Sequence, residues 1–125
     1  MPVDDGVVWF LHSSKEDRGP VQVLRFEGRV SSATAVELEQ ALARLEPGRF
    51  RGVVVDLSEL DYINGVGLRA IQAAAARFAG STCELVLCGL RPVIQTALDL
   101  VGAIPHLTIE PECDAAVRRL LDRRP

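Results

Sequence analysis

Little in this sequence invites chemistry. Among 125 residues there are two histidines, three cysteines and one tyrosine, and aromatics make up only 5%. His12 and His106 stand far apart, each on or beside a strand-like run, so neither has a neighbour that would make it a general base. Asp56 and Asp61 are the nearest approach to a paired carboxylate. The first ends an apolar run and the second falls in an expected loop, so nothing fixes them together. There is no nucleophile elbow, no CxxC and no Cys/His spacing that would hold zinc, so no enzyme, metal or cofactor is expected. A basic excess is also missing: the net charge is −3 and the pI is about 5.4, which argues against nucleic acid as a partner.

No apolar run approaches the roughly 20 residues of a membrane-spanning helix. The start, MPVDDGVVWF, is acidic and does not resemble a signal peptide. A soluble, cytoplasmic protein is the expectation. Cys83 and Cys88 lie five apart on an expected strand and so point to opposite faces, which excludes a bond between them. Cys113 has no evident partner. All three are expected to serve as small apolar packing groups.

What the chain does have is hydrophobic patterning, with 48% apolar and 25% charged residues. VVWFLH (7–12) and VQVLRFEG (21–28) read as antiparallel strands joined by the turn-forming SSKEDRGP. Thr34 and Glu37 have the spacing of a capping box opening a helix with Ala35, Leu38, Leu42 and Leu45 on one face, closed by Pro47-Gly48. GVVVDL (52–57) is a strand covered on both faces. Leu68, Ile71, Ala75 and Phe78 recur at helical spacing. CELVLCG (83–89), a helix over 91–101, a short strand at 106–110 and a helix with Val117, Leu120 and Leu121 inward complete the order ββαβαβαβα. The arginines at 118–119 and 123–124 would complement the negative end of that last helix. The chain therefore reads as one α/β domain over 1–125, core about 7–121, with a mixed, mostly parallel sheet.

Two segments carry a resemblance. VVVDLSELDYINGVGLRAI resembles the signature of STAS domains, the fold of bacterial anti-sigma factor antagonists, in which Asp-Leu-Ser is followed by Asp-Ser-Ser/Thr-Gly-Leu at a helix start. Gly28-Arg29-Val30-Ser31 resembles the family's Gly-x-[Leu/Val]-Asp turn. The likeness implies a regulatory protein-binding module. Members dock on an anti-sigma factor, commonly also a serine kinase, and phosphorylation of the first motif Ser ends the docking. Here Asn64 stands at the family's Asp, Gly65 at the phosphorylated Ser, Val66 at the second hydroxyl residue and Ser31 at the other segment's Asp, while Gly67 and Leu68 match. The usual phospho-switch would then be absent from this turn.

The contact surface expected from this likeness comprises Tyr62, Asn64, Gly65, Val66, Gly67, Leu68 and Arg69, with Ser31, Ser32 and Arg91 on neighbouring loops at the same rim. Asn64 is a good helix N-cap, and both glycines are expected to present bare backbone to a partner, so that replacing either would affect docking and leave stability nearly unchanged. Ser31, Ser32 and Ser58 are the nearest hydroxyls for a displaced phosphorylation switch. The partner would be an anti-sigma factor or related kinase-type regulator, and a homodimer is left open. Alternatives are an accessory subunit of an ABC-type membrane transporter and a sensor of a nucleotide or other small anion, the last because a glycine-bearing helix start exposes N–H groups.

Overall fold

A computed structural model describes residues 10–123. The chain runs β1 (Leu11–Arg18), β2 (Val21–Val30), α1 (Ala35–Ala43), β3 (Gly52–Ile63), α2 (Gly65–Ala79), β4 (Glu84–Cys88), α3 (Pro92–Val101), β5 (Leu107–Glu110) and α4 (Cys113–Asp122), the order expected from the sequence. The five strands form one sheet in the order β1-β2-β3-β4-β5. The β1–β2 pair is antiparallel and the others are parallel.

The hairpin corrects the first strand. Positions 7–9 lie outside the described residues, and SSKEDR, expected as a loop, is itself strand, with Arg18 paired to Val21 across a tight turn at Gly19-Pro20. Apolar patterning could not reveal it, because β1 is an edge strand whose residues 12–17 are all exposed. Its ladder bonds hold it in place, and its charges discourage edge-to-edge association.

The apolar runs separate cleanly by face. Leu24, Phe26, Val53, Val55, Leu85 and Leu87 pack against α1, α2 and α3 through Leu38, Ile71, Phe78 and Ile94. Val21, Val23, Val54, Val86 and Cys88 face α4, meeting Ala116, Val117 and Leu120. Among the described residues, α4 alone covers the second face.

The third strand is twice its expected length and reaches Ile63. Its pairing with β2 slips twice: Arg25 and Glu27 pair with Asp56 and Glu59, then Gly28 and Arg29 with Leu60 and Tyr62. At each step β3 advances one residue more than β2, which is how a bulge behaves. The consequence is that Leu57, Leu60 and Ile63, three apart, all point into the core. Strict alternation would have turned Leu60 outward.

Polar side chains join the elements. The Thr34–Glu37 capping box does not form. The Thr34 hydroxyl instead donates to the Arg29 carbonyl at 2.6 Å and accepts from the Ser31 N–H at 3.0 Å. Arg77 of α2 donates to the Leu42 and Leu45 carbonyls at 3.0 and 2.7 Å, closing the end of α1. Two arginines of the basic C-terminal cluster make specific ion pairs. Arg119 meets Glu84 and Glu110 at 2.9 and 3.0 Å, and Arg123 meets Glu84 at 2.8 Å. The terminal α4 carbonyl of Leu121 accepts from Arg51 at 2.8 Å. Burial alone would raise the Glu84 pKa, but the hydrogen bonds from Arg119, Thr108 and Arg123 outweigh it and hold the carboxyl below its ordinary 4.5.

The cysteines require a second correction. Cys83 is a buried free thiol, pushed up to about 11 by burial, as a packing group would be. Cys88 and Cys113, however, are disulfide-bonded, with Cα atoms 5.0 Å apart. The end of β4 and the start of α4 are brought together by the α3–β5 excursion between them, a proximity that spacing in sequence cannot express.

Candidate functional site: the rim at the start of α2

The turn follows directly from the lengthened β3. Asn64 has extended backbone and caps α2, its Oδ1 accepting from the Gly67 N–H at 2.9 Å. Its own N–H donates to the Val30 carbonyl at 3.0 Å, so the end of β2 fixes where α2 begins.

The two glycines beyond it differ. Gly65 is exposed, and a Cβ there would meet only Arg69 Nη1 at 3.8 Å. Gly67 is buried, and a Cβ there would fall 2.7 Å from Ile63 Cγ1 and 2.8 Å from Val30 Cγ1. The expectation that both offer open backbone therefore fails at Gly67, whose missing side chain lets α2 close onto the strand ends. Leu68, also expected at the surface, is only 9% exposed and joins the core. Val66 is half-buried against it.

Exposed groups surround Gly65. Arg69 lies one turn along on the same helix and is exposed. Tyr62 is 37% exposed, with the Arg29 guanidinium 4.6 Å from its ring centroid. Such a cation–π contact orients the ring while leaving it accessible. Ser32 is exposed and Ser31 half-buried, the latter's Oγ accepting from the Ala33 N–H at 3.3 Å.

Arg91, at the N-cap position of α3, reaches back to β3. Its Nε donates to the Ser58 carbonyl at 2.9 Å, and its guanidinium pairs with Asp61 and, at 3.5 Å, with Glu59. Beneath it the buried Asp56 carboxylate accepts from the Ser58 N–H at 2.9 Å, the Ser58 hydroxyl at 2.6 Å and Arg25 Nε at 3.0 Å. Asp56 and Asp61 therefore belong to separate ion pairs and do not form a carboxylate dyad. Ser58 is poorly placed for phosphorylation, since a dianion would sit beside that carboxylate.

Sequence reasoning missed the parts played by Arg29 and Glu59, and it assigned Thr34 a different hydrogen bond. Arg29 and Tyr62 are partners across the β2–β3 ladder. A straight β2–β3 alignment would have set Arg29 opposite Leu60, and the two register slips carry it to Tyr62.

The fold belongs to a recognised class. The family model described as "Mlab, STAS domain" matches residues 13–104. The chain is a member of the STAS domain family. It is 36% identical over 90 residues, 72% of this chain and 78% of the relative, to a Bordetella bronchiseptica protein named as the anti-sigma factor antagonist BtrV. The crystal structure of an anti-sigma factor antagonist from Mycobacterium paratuberculosis superposes with a TM-score of 0.76 at 25% identity, covering 90% of this chain and 96% of that one. The murine anion transporter Slc26a9 superposes at 0.72 over 86% of this chain and 19% of its own, at 12% identity, a likeness of fold alone. These findings bear out the mixed α/β architecture and the kinship with anti-sigma factor antagonists.

Proposed function

We propose that this chain is a non-catalytic regulator that docks on an anti-sigma factor or related serine-kinase-type regulator through the rim around Gly65. In this reading the phospho-acceptor position of the turn is filled by Gly65, so no hydroxyl there can carry a phosphate. The observation that carries the reading is the open first turn of α2: Gly65 is exposed and without steric neighbours, flanked by the accessible Tyr62 and Arg69. A glycine that no packing requires, at a place a partner can reach, suits close backbone approach. Its contact residues are Tyr62, Asn64, Gly65, Val66 and Arg69, with Ser31, Ser32 and Arg91 at the margin. Gly67 and Leu68 position them from below.

The relatives' names favour this reading, and the cytoplasm is where such a partner would be met. No described helix is long and apolar enough to cross a membrane. The test is affinity capture from an extract of the native cell, using wild-type and Gly65→Asp baits, with captured proteins identified by mass spectrometry. Recovery of an anti-sigma factor or serine kinase by the wild type alone is expected. Recovery of a transporter ATPase would favour the accessory-subunit reading, and equal recovery by both baits would move the docking surface elsewhere. Titration with nucleotides and inorganic phosphate tests the anion sensor, for which no binding is expected.

A further inference from the structure

The rim stands on strand ends that a disulfide ties together. Cys88 closes β4, pairs in register with Asp56 of β3, and is fully buried. Cys113 opens α4, is half-buried, and is joined to Cys88 across 25 residues of sequence. The two sulfurs and an Asp56 carboxylate oxygen all lie within 4.8 Å of one another. The sulfurs are bonded to each other and Asp56 is engaged by Ser58 and Arg25, so the trio is a disulfide beside a carboxylate, not a metal site.

Its position relative to the rim is what matters. Arg91, which grips Ser58, Glu59 and Asp61, follows Cys88 by three residues. Gly89, with φ +69°, packs so tightly between these groups that a Cβ on it would fall 2.9 Å from Ser58 Cβ and 3.2 Å from Cys113 Sγ. The S–S bridge thus ties Cys88 to the start of α4, and Arg91, three residues on, ties the same segment to Ser58, Glu59 and Asp61 of β3, next to Tyr62.

We propose that Cys88 and Cys113 form a reversible dithiol–disulfide site whose redox state sets the order of the rim segment Ser58–Tyr62. The reductant is a thiol, either low-molecular-weight or a protein dithiol. Its thiolate attacks Sγ of Cys113, the less buried residue of the pair, and the S–S bond breaks with Cys88 leaving as thiolate and taking up a proton. A second thiol attacks the mixed disulfide and releases the Cys113 thiol. The sum is one protein disulfide plus two RSH giving two protein thiols plus RSSR, and RSSR drives the reverse. Reduction frees α4's first turn and segment 88–91 from each other, loosening the support of Arg91. A disulfide in a compartment rich in thiols is commonly of this exchanging kind. The consequence for docking rests on the rim reading above, but the order of the segment is measured without any partner, so the two ideas fail separately.

The experiment equilibrates the purified full chain in glutathione buffers of graded GSH to GSSG ratio. One portion is trapped with N-ethylmaleimide for intact mass, and another is followed by hydrogen exchange. The expected result is reversible interconversion between species with zero and two reactive thiols, Cys83 staying unlabelled. Amides of 58–62 and 89–91 should exchange at least tenfold faster in the reduced form, with Val21–Leu24 and α1 unchanged. Cys113→Ser, which leaves the buried Cys88 in place, should show the fast pattern in every buffer. A disulfide that does not interconvert would overturn the proposal. So would interconversion that leaves exchange over 58–62 unchanged.

Discussion

At position 67 a single methyl group decides whether α2 can close. It would lie 2.7 Å from Ile63 and 2.8 Å from Val30, both buried, so the neighbours would have to shift. Gly67→Ala should therefore destabilise by about 1–3 kcal/mol, the usual cost of overpacking. At Gly65 the same methyl meets nothing closer than 3.8 Å, and an alanine there removes unfolded-state freedom. Gly65→Ala should be neutral or stabilising by up to about 1 kcal/mol. Urea unfolding of both variants checks this. Equal effects would mean that the two glycines share one role. From the sequence they looked alike, because what separates them is the side chains of Val30 and Ile63, brought over from two strand ends.

Elements are joined here by a few charged groups whose partners lie far away in sequence. Glu84 links β4 to α4 through Arg119 and Arg123 and to β5 through Thr108. Its folded pKa is depressed, so its contribution to stability is full above the ordinary value of 4.5 and is lost as pH falls through the lower, folded value. Glu84→Gln should lower stability at pH 7 by about 1.5–3 kcal/mol, the scale of hydrogen bonds to a charged group. The gap between variant and wild type should narrow as pH drops below 4.5. Thermal melts across pH 3–7 measure it, and a gap that stays constant would remove Glu84 as the source. On β3, Leu60 is fully buried between two register slips. Leu60→Ala should cost about 2–5 kcal/mol, as cavities in cores do. Denaturant unfolding would show it, and a loss under about 1 kcal/mol would contradict its inward placement.

For the whole molecule, the order of elements and the two-faced burial of the central strands were legible because continuous apolar runs and helical spacing express burial directly. The extent of β1 was not, since an edge strand of charged residues carries no apolar signal. The reach of β3 was hidden by its bulges, which replace alternation with a spacing of three. The Cys88–Cys113 bond was invisible because only the folded path brings residues 25 apart together. Of the candidate site, the turn and its Asn64 cap were readable from local chemistry. The Arg29–Tyr62 stack and the grip of Arg91 on β3 needed the sheet.

The central claim is that the first turn of α2 docks a partner by exposed shape. The most direct measurement is the affinity of the identified anti-sigma factor or kinase for wild type and for Gly65→Asp, with melting temperatures of both. The account predicts a loss of at least about 100-fold, some 2.7 kcal/mol, at unchanged melting temperature. Equal affinities would contradict it.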